Sequence, residues 1–161
     1  MSEPLSGHVE VDETYVGGKR RGGKRGRGAE GKTIVFGTLE RDGDVRSWVV
    51  SDVKRCTLEP IIRSEVKEGA TVSTDELRTY KDLIKFGYEH GKVQHGVGEY
   101  VSGIHHVNGL EGFWSQLKRG IVGTHIHVSG KHLPKYVGEF AFRYNNRKRP
   151  GEMFERVIRN F

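Results

Sequence analysis

The chain has 161 residues, enough for one domain with a packed core and too few for two ordinary ones. Only 34% of its residues are apolar and 30% are charged, but the apolar ones are clustered, which favours a folded domain over disorder. Lys and Arg outnumber Asp and Glu by 27 to 21 and the pI is about 9.5, so a polyanionic partner is expected, nucleic acid first; a basic protein with no such partner is the alternative on charge alone.

The single cysteine, Cys56, excludes an intramolecular disulfide and a cysteine-rich zinc site, and reads as a small buried or half-buried residue in a reducing compartment. No apolar run approaches the roughly 20 residues that span a bilayer. The start, MSEPLSGHVEVDE, lacks the basic and apolar regions of a signal peptide. The expected compartment is the cytoplasm, with association to the nucleoid in a bacterium.

Residues 8–16 alternate, with Val9, Val11 and Val16 on one side, and predict a strand. Residues 17–32, GGKRRGGKRGRGAEGK, hold seven basic residues and no large apolar side chain. They predict a flexible basic loop whose Lys19, Arg20, Arg21, Lys24, Arg25 and Arg27 would touch nucleic-acid phosphates; a solvated linker is the plainer reading. TIVFGTLE and VRSWVVSDV flank the turn Arg41-Asp42-Gly43-Asp44 and predict a hairpin. Thr57 is positioned to cap a helix, LEPIIRSEVKEG, that Gly69 would end. ATVSTD predicts a fourth strand and residues 76–85 a helix with Leu77, Tyr80 and Ile84 on one face. A short fifth strand near residues 88–94 completes the sheet.

The last third reads as helical. Val107, Leu110, Trp114, Leu117 and Ile121 form one apolar stripe, and Asn108, Glu111, Ser115 and Lys118 lie along its polar flank. Phe113 and Trp114 read as core. Gly109 and Gly112 each cost about 1 kcal/mol in a helix relative to Ala, which suggests that backbone passes close to another element there. A second helix runs from about residue 131 to 146, with Leu133, Tyr136, Val137, Phe140 and Tyr144 inward, and GEMFERVIRNF follows Pro150 as a short terminal helix. Three strands, helix, strand, helix, strand and then helices is the order of a ribonuclease-H-like α/β domain, a mixed sheet flanked by helices. A single such domain covers residues 1–161.

That order would gather three distant carboxylates: Asp12 on the first strand, Asp75 at the end of the fourth, and Glu111 on the later helix, with thirty-five residues between it and Asp75. Two strand aspartates and a helix glutamate can hold a pair of Mg²⁺ ions, which suits phosphodiester chemistry. Taken singly, each has a plainer reading: Asp12 as an exposed strand residue, Asp75 as a helix cap, Glu111 as a solvated helix residue. Glu10 shares the expected face of Asp12 and is an accessory candidate, whereas alternation puts Glu13 on the other face. His105-His106 and His125-x-His127 read as surface or hydrogen-bonding residues, the first pair near the cleft.

The strings DETYVGGK, STDE, and NGLEGFWSQLKRGIVGTH followed by HLPKYVGEFAFRYNNRK resemble the DDE transposases of bacterial insertion sequences, of the ISXO type, over roughly His8 to Lys148. The resemblance implies a ribonuclease-H-like fold, two catalytic Mg²⁺ ions for which Mn²⁺ can substitute, cleavage at transposon ends and strand transfer into target DNA. By position, Asp12 and Asp75 look like the first two metal ligands. Either Glu111 or Asn108 matches the third catalytic residue, and an anionic oxygen favours Glu111. Lys118 and the adjacent Arg119 look like DNA-phosphate contacts. The resemblance also implies a homodimer or larger assembly on DNA. Relatives carry an N-terminal end-recognition region for which this chain leaves no room before the first strand. A non-catalytic DNA-binding remnant and a metal nuclease of the same fold are the competing functions.

Overall fold

The structure is a computed structural model that describes residues 3–17, 31–94, 98, 101–124 and 128–159. The basic loop, with Lys19, Arg20, Arg21, Lys24, Arg25 and Arg27, lies outside the described residues except at its ends, as do His125 and His127.

Five strands form one mixed sheet. They are β1 (His8–Gly17), β2 (Lys32–Glu40), β3 (Val45–Val50), β4 (Thr71–Thr74) and β5 (Glu89–Lys92), in the order β3-β2-β1-β4-β5. The first three are antiparallel neighbours, joined as the Asp-Gly turn predicts. β4 and β5 are added in parallel, each reached through a crossover on the sheet face. The helices are α1 (Arg55–Glu65), α2 (Asn108–Thr124), α3 (Leu133–Asn145) and α4 (Met153–Arg159). No helix among the described residues is long and apolar enough to cross a membrane.

Strand alternation divides β1 between two cores. Val9 and Val11 face α1 and pack with Phe36, Leu58, Ile62, Val72 and Tyr80. The opposite face carries Val16, which the sequence reading puts on the side of Val9 and Val11 although its even position sends it across, with Val35 and Leu39 of β2, against Leu110, Phe113, Trp114 and Leu117 of α2 and Leu133 and Val137 of α3. The stripe expected on α2 is therefore its buried side. α3 closes the β3 edge: the Asn145 side chain accepts from the Val45 N–H (2.8 Å) and donates to the Val45 carbonyl (2.9 Å). These bonds satisfy backbone groups that an edge strand leaves open.

Five further expectations change. α1 begins at Arg55, because Asp52 accepts from both the Lys54 N–H (2.9 Å) and the Thr57 hydroxyl (2.6 Å), so Thr57 lies inside the first turn and does not cap it. The same helix ends at Glu65, before Gly69, which instead supplies a left-handed turn (φ 84°) into β4. Residues 76–85 hold two short 3₁₀ turns, Arg78–Tyr80 and Leu83–Phe86, in place of an α-helix. Asp75 Oδ1 accepts from the Leu77 N–H at 2.9 Å and Leu77 is extended, a local bond that competes with helix initiation. Ile84, expected inward, is 64% exposed. Cys56 is exposed in the first turn of α1.

Candidate active site

β4 stops one residue before Asp75, while β1 runs on beside β2 as far as Gly17. Val11 and Thr74 are the last β1–β4 partners, so Asp12 and Asp75 follow where the two parallel strands part. Carboxyl ends of parallel strands are where open α/β sheets form ligand crevices. Asp12, Glu13 and Asp75 meet there: each offers one carboxylate oxygen, and these lie within 4.8 Å of one another. All three residues are buried.

The presence of Glu13 departs from the sequence reading. Alternation does direct it to the α1 side, where its Oε2 accepts from the buried Tyr80 hydroxyl at 2.8 Å. But β1 has lost its β4 neighbour by this point, and the gap lets two successive side chains approach one another. The signal available in the sequence was the short ATVSTD strand, which ends before it can cover Glu13.

The cluster is electrostatically costly as it stands. Burial, then the Glu13 and Asp75 carboxylates, push the Asp12 carboxyl well above the usual carboxylate range, and bonds from Trp114 and the Glu13 backbone pull partly back. Burial likewise raises the Tyr80 hydroxyl, with Glu13 adding to it, so Tyr80 stays a donor. A divalent cation would relieve this repulsion. At bonds of about 2.1 Å, oxygens around one octahedral Mg²⁺ lie about 3.0 Å apart when adjacent and about 4.2 Å apart when opposite, so the three carboxylates would draw together on binding. The donor set, three carboxylates, is that of a hard cation.

α2 crosses above this point. Trp114 Nε1 donates to Asp12 Oδ2 at 3.0 Å, and the Leu110 N–H donates to Glu10 Oε2 at 2.9 Å. Glu10 thus satisfies an orphan donor in the first turn of α2. Its other oxygen lies 3.4 Å from Arg41 Nε and 3.2 Å from His106 Nδ1. This explains Gly109: a Cβ there would lie 2.4 Å from Leu39 Cδ2 and 2.9 Å from Glu10 Oε2. The same expectation for Gly112 does not hold, since a Cβ there meets nothing within 4 Å.

The helix-borne candidates stand differently. Asn108 and Glu111 are exposed in the first turn of α2, and Glu111 is outside the group formed by Asp12, Glu13 and Asp75. Lys118 follows Trp114 by one turn. Although the residue as a whole is exposed, burial around its ammonium, then the Lys32 cation, lower its pKa, and Asp12 acts in the opposite sense. Lys118 thus lies within electrostatic reach of Asp12, and Lys32 within reach of Lys118. Lys32, first residue of β2, was read only as the end of the basic loop. Arg119 is exposed and bonds back to the Ser115 carbonyl at 3.2 Å. His105 lies behind the acids in a chain with Ser73 (2.8 Å), His8 and Arg41.

Comparisons with known proteins bear on the family and the fold. The family model described as the ISXO2-like transposase domain matches residues 4–145. A transposase-like protein of Haemophilus influenzae is 32% identical over 102 residues, covering 63% of this chain and 81% of that protein. A protein of the transposable element ISH50 from Halobacterium salinarum is 32% identical over 164 residues, covering 92% of this chain; the chain spans 55% of that relative's length. The catalytic core domain of BIV integrase superposes with a TM-score of 0.53 at 14% identity, over 86% of this chain and 82% of that one. That likeness shows the fold, a ribonuclease-H-like sheet with flanking helices, as the order of elements predicts. The chain belongs to the family of ISXO2-like transposase domains.

Proposed function

We propose that this chain is the catalytic domain of a DNA transposase, a divalent-metal-dependent polynucleotidyl transferase that cuts the ends of its element and joins them to target DNA. The observation that carries the reading is the convergence of Asp12, Asp75 and Glu13 where two parallel strands part. Asp12 and Asp75 would hold Mg²⁺, with Mn²⁺ as substitute, and Glu13 would support them while its second oxygen rests on Tyr80. The metal pair supplies a stronger nucleophile and stabilises the departing 3′ oxygen.

Glu111 supplies the third carboxylate once DNA phosphate draws α2 inward, and Asn108, one turn earlier, is the alternative at that place. Lys118 and Lys32 hold the phosphate next to the acids, aided by Arg119. The basic loop, with Lys19, Arg20, Arg21, Lys24, Arg25 and Arg27, grips the DNA backbone without reading sequence, so affinity falls steeply with salt. Pairing two ends requires at least a homodimer on DNA. The expected setting is the cytoplasm, at the bacterial nucleoid.

The test is a strand-transfer assay with supercoiled plasmid and short duplexes carrying the ends of the element, in Mg²⁺ or EDTA, against Asp75→Ala. Joined product in Mg²⁺ alone, absent from the variant, supports the proposal. Nicking without joining would make the chain a nuclease. DNA binding with no metal-dependent product, the same in both proteins, would make it a binding remnant.

A further inference from the structure

We infer that Trp114 is a positioning residue for Asp12, and that Glu10 sets where Trp114 lies by holding the first turn of α2. The inference rests on the reading of Asp12 as a metal ligand.

The Trp114 indole is 4% exposed and its Nε1 donates to Asp12 Oδ2 at 3.0 Å across a sequence separation of 102 residues. An indole N–H is a donor only, so this bond pins one carboxylate oxygen and with it the rotation of the whole group. A neutral donor matters here. A Lys or Arg in the same place would neutralise Asp12 and compete with a cation, whereas the indole orients the carboxylate and leaves its charge in place.

The surroundings are shaped for this contact. A Cβ at residue 37 of β2 would lie 2.6 Å from Trp114 Cη2 and 2.8 Å from Cζ2, so Gly37 leaves the space the ring fills. Phe113 packs against Trp114 with ring centroids 5.2 Å apart. One turn earlier, Glu10 fixes the axial position of the helix through the Leu110 N–H. Glu10 and Asp12 share a strand face, and Leu110 and Trp114 share a helix face, so two bonds four helix residues apart set both the height and the rotation of α2 over β1.

Second-shell partners of metal ligands typically alter metal affinity by about 10- to 100-fold. The test uses Mn²⁺ as the probe with the intact chain, its W114F, E10Q and D12N variants, and W48F as a control. Mn²⁺ affinity is read by paramagnetic resonance, the two indole N–H signals by NMR, and folding by thermal melting. W114F keeps an aromatic side chain and removes the donor together with part of the ring that fills the space beside Gly37, so thermal melting reads the lost packing separately. This variant should bind Mn²⁺ about 10- to 100-fold more weakly while still melting cooperatively. In the parent, Mn²⁺ should broaden the Trp114 indole signal before that of Trp48. E10Q should weaken Mn²⁺ binding in the parent and add little to W114F, because it acts through the same contact. Asp12-dependent binding that W114F leaves unchanged would overturn the positioning role and leave the metal reading intact. Binding that D12N leaves unchanged would overturn both.

Discussion

The strand-borne and helix-borne halves of the site are built to different tolerances. Asp12 and Glu13 lie within the β1 ladder and Asp75 follows directly on the β4 ladder. Moving Asp12 or Glu13 means breaking backbone hydrogen bonds between β1 and β2, and Asp75 is tethered one residue past the β4 ladder. Asn108, Glu111 and Lys118 ride on α2, which meets β1 through an apolar stripe and the bonds from Leu110 to Glu10 and from Trp114 to Asp12. A helix on such a bed can shift slightly without breaking a ladder. The strand half is therefore set before any ligand arrives, and the helix half is the adjustable one. The three strand-side acids are already gathered, while Glu111 stands exposed in the first turn of α2.

The largest effect should come from the strand half. Asp12→Asn or Asp75→Asn is expected to lower metal-dependent DNA cleavage roughly 10³-fold or more. Melting without metal should hold or rise, because each change removes one of three crowded like charges. Parent and variant melted with and without Mn²⁺ give the comparison: metal should stabilise the parent and leave the variants nearly unmoved. A parallel loss of activity and of folded protein would instead make these aspartates structural.

Glu111→Gln tests the helix half. Cleavage should fall roughly 10²-fold, with stability within about 0.5 kcal/mol of the parent because the residue is exposed. Asn108→Ala should cost far less. The reverse order, measured in the same cleavage assay, would assign the third catalytic place to Asn108.

This division also marks what could be read from the sequence. Strand period and turn residues located β1 to β4, and the stripe from Val107 to Ile121 located α2 and its buried side. Asp12 and Asp75 could be paired because strand order alone brings them together. Glu13 could not, since alternation sends it to the face opposite Asp12, and only the loss of the β4 neighbour beside it lets its carboxylate approach the other two. Residues 76–85 have a helical pattern, but the local Asp75–Leu77 bond and the tertiary burial of Tyr80 against Glu13 override it. Where Glu111 points depends on the height of α2 over the sheet, set by two side-chain bonds between residues about a hundred positions apart, and no local pattern records that.

The two glycines of α2 sharpen the comparison at lower cost. Gly109→Ala forces a methyl group against Leu39 and Glu10 and should destabilise by about 1–3 kcal/mol. It should also reduce cleavage, by tilting the first turn that carries Glu111. Gly112→Ala adds its methyl to open space and should gain up to about 1 kcal/mol from helix propensity. Chemical denaturation of the pair checks both signs. If Gly109→Ala were as stable as Gly112→Ala, the close contact at the helix start would be wrong.

The smallest expected effect is in the polar seam beneath the loop that leads into α2. Arg41 Nη1 lies 2.9 Å from His8 Nδ1, and because a guanidinium can only donate, Nδ1 must accept. The proton of neutral His8 is then on Nε2, which donates to Ser73 Oγ at 2.6 Å, and Ser73 passes its own proton to His105 Nδ1 at 2.8 Å. Protonating His8 would set an N–H against Arg41. Burial, then Arg41, His105 and His106, accordingly lower its pKa from 6.5 to about 4. Between those two values the unfolded chain binds a proton that the folded one refuses, so stability falls as pH drops from 6.5 toward 4, and this group contributes no slope above 6.5. His8→Gln should flatten that part of a stability–pH curve measured by urea unfolding while leaving cleavage near neutral pH close to the parent's. An equal slope in the variant would mean that the seam takes up its proton elsewhere.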